Sequence, residues 1–459
     1  MKKTNILIAI ALLTFATLTQ AAEVAGKVGY MSGTLVAQRA DGTLKVLGPK
    51  SEVLAGDMLI TAKNSYAQVV MNDGAKMTLR PNSNLKVEAY QFNEEKPEAD
   101  NAFFRLLKGG FRAVTGMIGK RGNSDAYKVR AASATIGIRG TDFSTRLCFT
   151  KSCQDDDEAA AKPVAAKPQA QVVGRVMLVR GDLAAKDESG KSRGLVLGAA
   201  VYEGDTLSTG QQSYAVVAFR DEGRVSLQAN TVFKVEKYSY NKKSAEKQEN
   251  AILSLLKGGV RVVTGWIGRA NHDNYKFKVA NATIGIRGTG FDAWCNGPCA
   301  SGSSNPGATQ DNPLDGAGVY VWSGEVVLVT PGGSFLVAIQ QAAMIARDTG
   351  KPVSIMTIPQ SVIDNDTPRP DGVPVDFEKL FGDEGGGDAP GLYVTVHDGQ
   401  VILALGDQSL NLGAGETGFS TQEVLQRLNS VPSFMGGEET IGGGGGGMGI
   451  GANGCSVAQ

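Results

Sequence analysis

ATIGIRGT stands at residues 134–141 and again, without a change, at 282–289. The match extends upstream. Gly26-Lys27-Val28 answers to Gly174-Arg175-Val176, Gly56-Asp57 to Gly204-Asp205, and Leu106-Leu107-Lys108-Gly109-Gly110 to Leu255-Leu256-Lys257-Gly258-Gly259. The offset stays between 148 and 149, which is the length of a domain rather than of a solenoid repeat. The chain must therefore build one fold twice, and its turns must suit both copies.

Alternation names the class of that fold. In SYAQVVMNDG, Ala67, Val69 and Met71 share one face, as Ala215, Val217 and Phe219 do in SYAVVAFRDEG. YKVRA turns Tyr127, Val129 and Ala131 one way and Lys128 and Arg130 the other; YKFKV does the same with Lys276 and Lys278 outward. A period of two marks half-buried strands. The approaches to Lys-Gly-Gly, ADNAFFRLLKGG and ENAILSLLKGG, read equally as a short helix with a glycine stop or as a strand ending in a turn. Farther on, 319–329 and 392–405 are strand–turn–strand patterns around Gly324 and Gly399, read as additional β-hairpins. The expected class is all-β: two duplicated β domains, C-terminal hairpins, and a Gly-rich tail too poor in apolar residues to fold alone.

The octapeptide is a poor phosphate cradle. It has two glycines, lies among strand residues and opens no helix. It is a good corner: Gly137, Gly140, Gly285 and Gly288 can adopt backbone angles closed to other residues, or allow close chain approach. Arg139 and Arg287 stand at that corner. With Lys128, Arg130, Lys276 and Lys278 they are the candidate binding residues, a basic stripe suited to an acidic protein or an envelope polymer. Solvated strand surface, its field cancelled by neighbouring acids, is the plainer reading of the same residues.

Gly-Asp at 56–57 and 204–205, Lys-Val-Glu at 86–88 and 234–236, Lys-Gly-Gly, and above all Gly-Ile-Arg-Gly-Thr-x-Phe at 137–143 and 285–291 resemble the FecR domain family. That family takes its name from a periplasmic regulator of ferric citrate uptake. The resemblance covers about 24–147 and 172–345. It implies an exported, non-catalytic β module, compact and β-helix-like, used for protein contact or sensing, with a glycine-linked strand after Arg-Gly-Thr-x-Phe. The iron regulators of the family carry a cytoplasmic anti-sigma segment before a membrane helix. Here MKKTNILIAIALLTFATLTQAA reads as a secretory signal peptide directly before the first repeat, so that activity is not expected to carry over.

The expected division is a signal peptide at 1–22, a first domain at 23–153, a linker at 154–171, and a second domain at 172–360 with a loop at 300–315. An acidic Gly-rich linker at 361–390, a hairpin segment at 391–430 and the tail at 431–459 follow. No later segment is long and apolar enough for a membrane helix. Lys and Arg balance Asp and Glu at 46 each, against a nucleic-acid partner, which would need excess positive charge.

Export, to the periplasm or outside the cell, permits disulfides. Cys148 with Cys153, and Cys295 with Cys299, are the expected pairs, since duplication keeps a pair at matching sites. Cys455 in the tail would be a free thiol or join another chain. WCNGPC has three residues between its cysteines where a thioredoxin-like centre has two.

His272 and His397, the only histidines, read as solvated turn residues that offer little for a zinc site or a serine–histidine triad. No metal, cofactor or catalytic residue is expected. The leading function is a secreted or periplasmic scaffold or binding protein. The rival is a carbohydrate-active enzyme, whose paired carboxylates would be recognised only in space.

Overall fold

The computed structural model describes residues 23–121, 123, 125–153, 171–240, 249–280, 282–286, 288–296, 299, 316–345, 351–355, 366–381, 388–428 and 430–435. The expected signal peptide, most of the expected linker after 153, the expected loop at 300–315 and the expected tail beyond 435 lie outside them. The chain is nearly all β, with a few short helical turns. Alternation holds as the sequence requires: Tyr66–Met71 buries Ala67, Val69 and Met71, while Tyr127–Ala131 buries Tyr127, Val129 and Ala131.

The Lys-Gly-Gly approaches are strands, Asn101–Val114 and Asn250–Val263. Each is long enough to serve two faces. Residues 250–257 pair with Val232–Ser239 and Tyr275–Val279, and residues 258–263 with Arg224–Leu227 and Gly290–Asn296. The crossing falls at Gly109 (φ 72) and Gly258 (φ 86). A Cβ at Gly109 would stand 2.7 Å from the Ser83 Cα, so both the angle and the space demand glycine there. A helix would have satisfied its own backbone. Here the neighbouring strands on both sides do so, which local sequence cannot announce.

The octapeptide strand Ala134–Cys148 crosses in the same manner. Its first half pairs with Tyr127–Ala131 and its second with the Lys-Gly-Gly strand. In the second copy it is broken into Ala282–Ile286 and Gly290–Asn296. Each octapeptide strand needs a partner on its other side. The second copy finds one nearby, in Gly316–Ser323 and Val326–Thr330.

The first copy finds its partner about 250 residues later along the chain. Gly391–Leu405 runs antiparallel to Ala134–Cys148, with Ile138 opposite Val401 and Phe143 opposite Val396. The two completing segments share one register. Val326 faces Val337 and Val401 faces Leu412, so each residue recurs 75 positions on. The segment at 391–428 is therefore the first copy's own final hairpin and strand pair, and the second copy is inserted before it.

The cores follow this pairing. Leu392, Val394, Val396, Val401, Leu403 and Leu412 are buried in one cluster with Phe143, Ile136 and Ile138. Burying six such side chains contributes on the order of 10 kcal/mol before the entropy of ordering the segment. The second copy has a separate core, from Val173 to Ile345. The sequence reads 361–390 as a linker. Within it, Pro370–Gly372 and the short helix Phe377–Phe381 lie along the second body, held by Arg224, Arg261 and Ser226. Val431–Met435, at the start of the expected tail, packs near Tyr393 and Phe419.

Candidate functional site

At the corner, Gly140 and Gly288 adopt left-handed φ of 56° and 63°. Gly137 and Gly285 stay within strands, and a Cβ at Gly285 would meet the Val327 carbonyl oxygen at an ordinary 3.6 Å. The motif threonine closes the corner. Thr141 N donates to Thr115 Oγ1 at 2.8 Å and its hydroxyl to the Gln400 carbonyl at 2.6 Å; Thr289 N donates to Thr264 Oγ1 at 2.9 Å. Ile138 and Ile286 pack under the helical glycines Gly119 and Gly268. The duplicated octapeptide is thus occupied in turning the chain between faces.

The acids are occupied as well. Asp57 pairs with Arg39 at 2.6 Å and accepts from Leu54 N, and Asp205 repeats this with Arg193 and Tyr202 N. Asp73 accepts from Tyr90 Oη, Ala75 N and Ile118 N; Asp221 accepts from Tyr238 Oη, Gly223 N and Ile267 N. Each of these two anchors a four- or five-residue helix that the chain enters through Gly116 or Gly265. Burial raises the Asp221 carboxyl above its ordinary value in spite of these donors.

Glu88 and Glu236 sit at β-bulges, where an extra residue re-aims the side chain. Both meet basic side chains, and Glu236 meets one of the basic row. Glu88 meets Arg105 at 2.5 Å, and Glu236 takes Lys278 at 2.7 Å and the Ser254 hydroxyl at 2.5 Å. Burial opposes ionisation of Glu236, but its bonds from Lys278 and Ser254 win and hold its carboxyl below the usual range.

Lys128 pairs with Asp125 at 2.9 Å, so both half-buried lysines of the rows have acids. Arg130, Arg139 and Lys276 are exposed. Each row lies within the sheet of its own copy. Arg287 lies outside the described residues.

Both expected disulfides are present, with Cα atoms 4.7 Å apart for Cys148–Cys153 and 5.2 Å for Cys295–Cys299. Cys455 lies outside the described residues. His272 is exposed, and its Nδ1 is bonded to the Gly268 carbonyl. His397 is not the solvated turn residue its local sequence suggests. It sits half-buried in the completing strand, with Nε2 2.8 Å from Ser144 Oγ. Their sequence separation of 253 hid the pair. Ser144 is only 1% exposed, which bars a substrate carbonyl from its hydroxyl.

Asp292 is a second buried carboxyl whose ionisation is opposed. Burial raises it to about 6 against the pull of Arg261, the Trp322 hydrogen bond and Arg369. Trp322 Nε1 donates to it at 3.1 Å, and Arg369 stacks on the Trp322 ring at 3.8 Å. No group of three or more His, Cys, Asp and Glu able to hold a metal occurs among the described residues. No described helix is long and apolar enough to cross a membrane.

The two bodies meet at a polar joint that the sequence did not reveal. Arg175 is fully buried and pairs with Glu416, which also takes Arg427 at 3.2 Å. Arg175 donates to the Gly198 carbonyl, Tyr202 Oη to the Ala414 carbonyl, and Asn411 Nδ2 to the Leu197 carbonyl. Lys191 pairs with Asp398 at the rim. Burial and the nearby Arg427 draw the Arg175 guanidinium well below its ordinary value, and burial lowers Arg427 to about 10. The duplication offered one clue, since Lys27, Glu52 and Leu54 of the first copy become Arg175, Ala200 and Tyr202 in the second.

Among known proteins, the FecR protein family matches residues 57–161 and 205–304. No curated protein matches the chain. Two crystal structures of a candidate anti-sigma factor from Parabacteroides distasonis are similar over 32% of this chain and 57% of that one. Their identities are 16% and 15% and their TM-scores 0.22 and 0.23. Each family match opens on the aspartate of a Gly-Asp turn, runs through the crossing strand and the corner, and stops before the completing hairpin. With the same corner, crossing and acid anchors built twice, the chain carries two FecR-like domains, the second inserted before the last strands of the first.

Proposed function

We propose that this is an exported, non-catalytic scaffold or binding protein that acts through contacts with a protein or an envelope polymer. One observation carries the reading: the acids of the repeated motifs are consumed by turns, helix starts and ion pairs, while Arg130, Arg139 and Lys276 remain exposed. Export rests on the leader-like start of the sequence and on two disulfides, which persist in oxidising compartments. Among the described residues, the framework presents surface and offers no reactive constellation.

Asp292 favours the carbohydrate-active alternative, because a carboxyl near 6 is what a general acid needs. Its 4% exposure and its bond from Trp322 leave no room for a glycosidic oxygen.

The test is capture of partners from a bacterial envelope extract with the mature chain, beside a variant carrying Arg130→Glu and Lys276→Glu. Capture should weaken in the variant and lose much of its salt dependence, since exposed charges act through a screened field. Equal capture by the folded variant would remove the basic rows from the account. Release of sugars from envelope glycan, lost on Asp292→Asn, would establish the enzyme instead.

A further inference from the structure

The two bodies end in equivalent hairpins, but among the described residues only the first body's end is covered. Its Asn411, Ala414 and Glu416 receive the second body at the joint. The residues 75 positions earlier, at the second body's own end, are Leu336, Ile339 and Gln341. Leu336 is 52% exposed and Ile339 55%, and Val329 on the same hairpin is 44% exposed. Leu336 stands opposite Val327, two residues from Val329, so these aliphatic side chains share one outward face. Gln341 turns back to accept from Ala338 N.

We infer that this end is a self-association surface, and that two chains pair through it about a two-fold axis. Continuity with the internal joint is the first argument: the fold already seats a β body on this end once. The choice of partner follows from charge. A head-to-tail stack would bring the first body's start to this end.

That start presents exposed Lys27, Lys50 and Glu52 where the joint uses Arg175, Gly198 and Ala200. Glu416 has become Gln341, so a buried Lys27 would have no acid at the joint position, and desolvating unpaired charges is prohibitive. Edge charges of this kind discourage strand-to-strand growth. A neutral aliphatic end instead suits a copy of itself, which gives a closed, isologous pair rather than a fibre.

The experiment is sedimentation analysis of the mature full-length chain up to about 100 µM, where even a weak interface registers. A reversible monomer–dimer equilibrium is expected. Leu336→Asn, which installs the residue the first body carries, combined with Ile339→Lys, should weaken it at least tenfold at unchanged tryptophan fluorescence. Cys455→Ser should leave it intact. A chain that stays monomeric throughout overturns the inference. So does a dimer indifferent to Leu336 and Ile339, a dimer lost with Cys455, or open-ended growth. Envelope capture does not enter this measurement, so the outcome is independent of the function proposed above.

Discussion

A glycine at the corner and a glycine in the strand look alike in the octapeptide, and the backbone separates them. Gly288 is left-handed with no atom within 4 Å of its would-be Cβ, whereas Gly285 is extended. Gly288→Ala should cost about 1 kcal/mol through backbone strain alone, whereas Gly285→Ala should be neutral or slightly stabilising. Equal losses in denaturant unfolding would contradict this assignment.

Asp292 gives a pH test at the same scale. Its folded pKa, about 6, stands above the ordinary 3.8, so the folded state holds the proton more tightly. The stability it contributes is present at low pH and lost as pH rises through 6. Wild type should therefore decline by about 1–3 kcal/mol relative to Asp292→Asn between pH 4 and 7. Parallel profiles for the two proteins would refute the shift.

Among elements, the joint and the completing strand carry the most consequence. Glu416 is the acid shared by Arg175 and Arg427, both nearly sealed from water. Glu416→Gln should destabilise the pairing of the bodies by about 3–5 kcal/mol, because an uncompensated buried charge remains. Replacing Arg175, Glu416 and Arg427 together by apolar residues should cost much less. A comparable loss for the single and triple variants, measured by thermal unfolding, would show that the joint is not electrostatic. The Cys148–Cys153 ring is too small to matter as much. Opening it with Cys148→Ser and Cys153→Ser should cost about 2 kcal/mol.

For the whole molecule, insertion of the second copy makes the first depend on the end of the chain. Truncation after 390 removes the partner of Ala134–Cys148 and the aliphatic residues beneath it. The three tryptophans, Trp266, Trp294 and Trp322, all lie in the second body. Truncated chain should therefore keep its tryptophan unfolding transition while losing much of the β-sheet circular dichroism of the first body. Full retention of both signals would show that the first body closes without its last strands.

Duplication, alternation and cysteine spacing determined much of this protein from sequence alone. The all-β class, the two copies, the corner octapeptide and both disulfides were legible because each rests on short-range chemistry: side-chain period, glycine angles, ring size. Three features were decided only in tertiary structure. The Lys-Gly-Gly run became a strand because neighbours on two faces claimed its backbone. The stretch at 391–405, read as a hairpin around Gly399, is one continuous strand, and it joined the first body, not the nearer second, because Ala134–Cys148 otherwise lacked a partner. Arg175 became buried because Glu416 came to meet it from 241 residues away. Strand pairing and buried charge are satisfied by whichever complementary group arrives in space, and separation along the chain carries no mark of that choice.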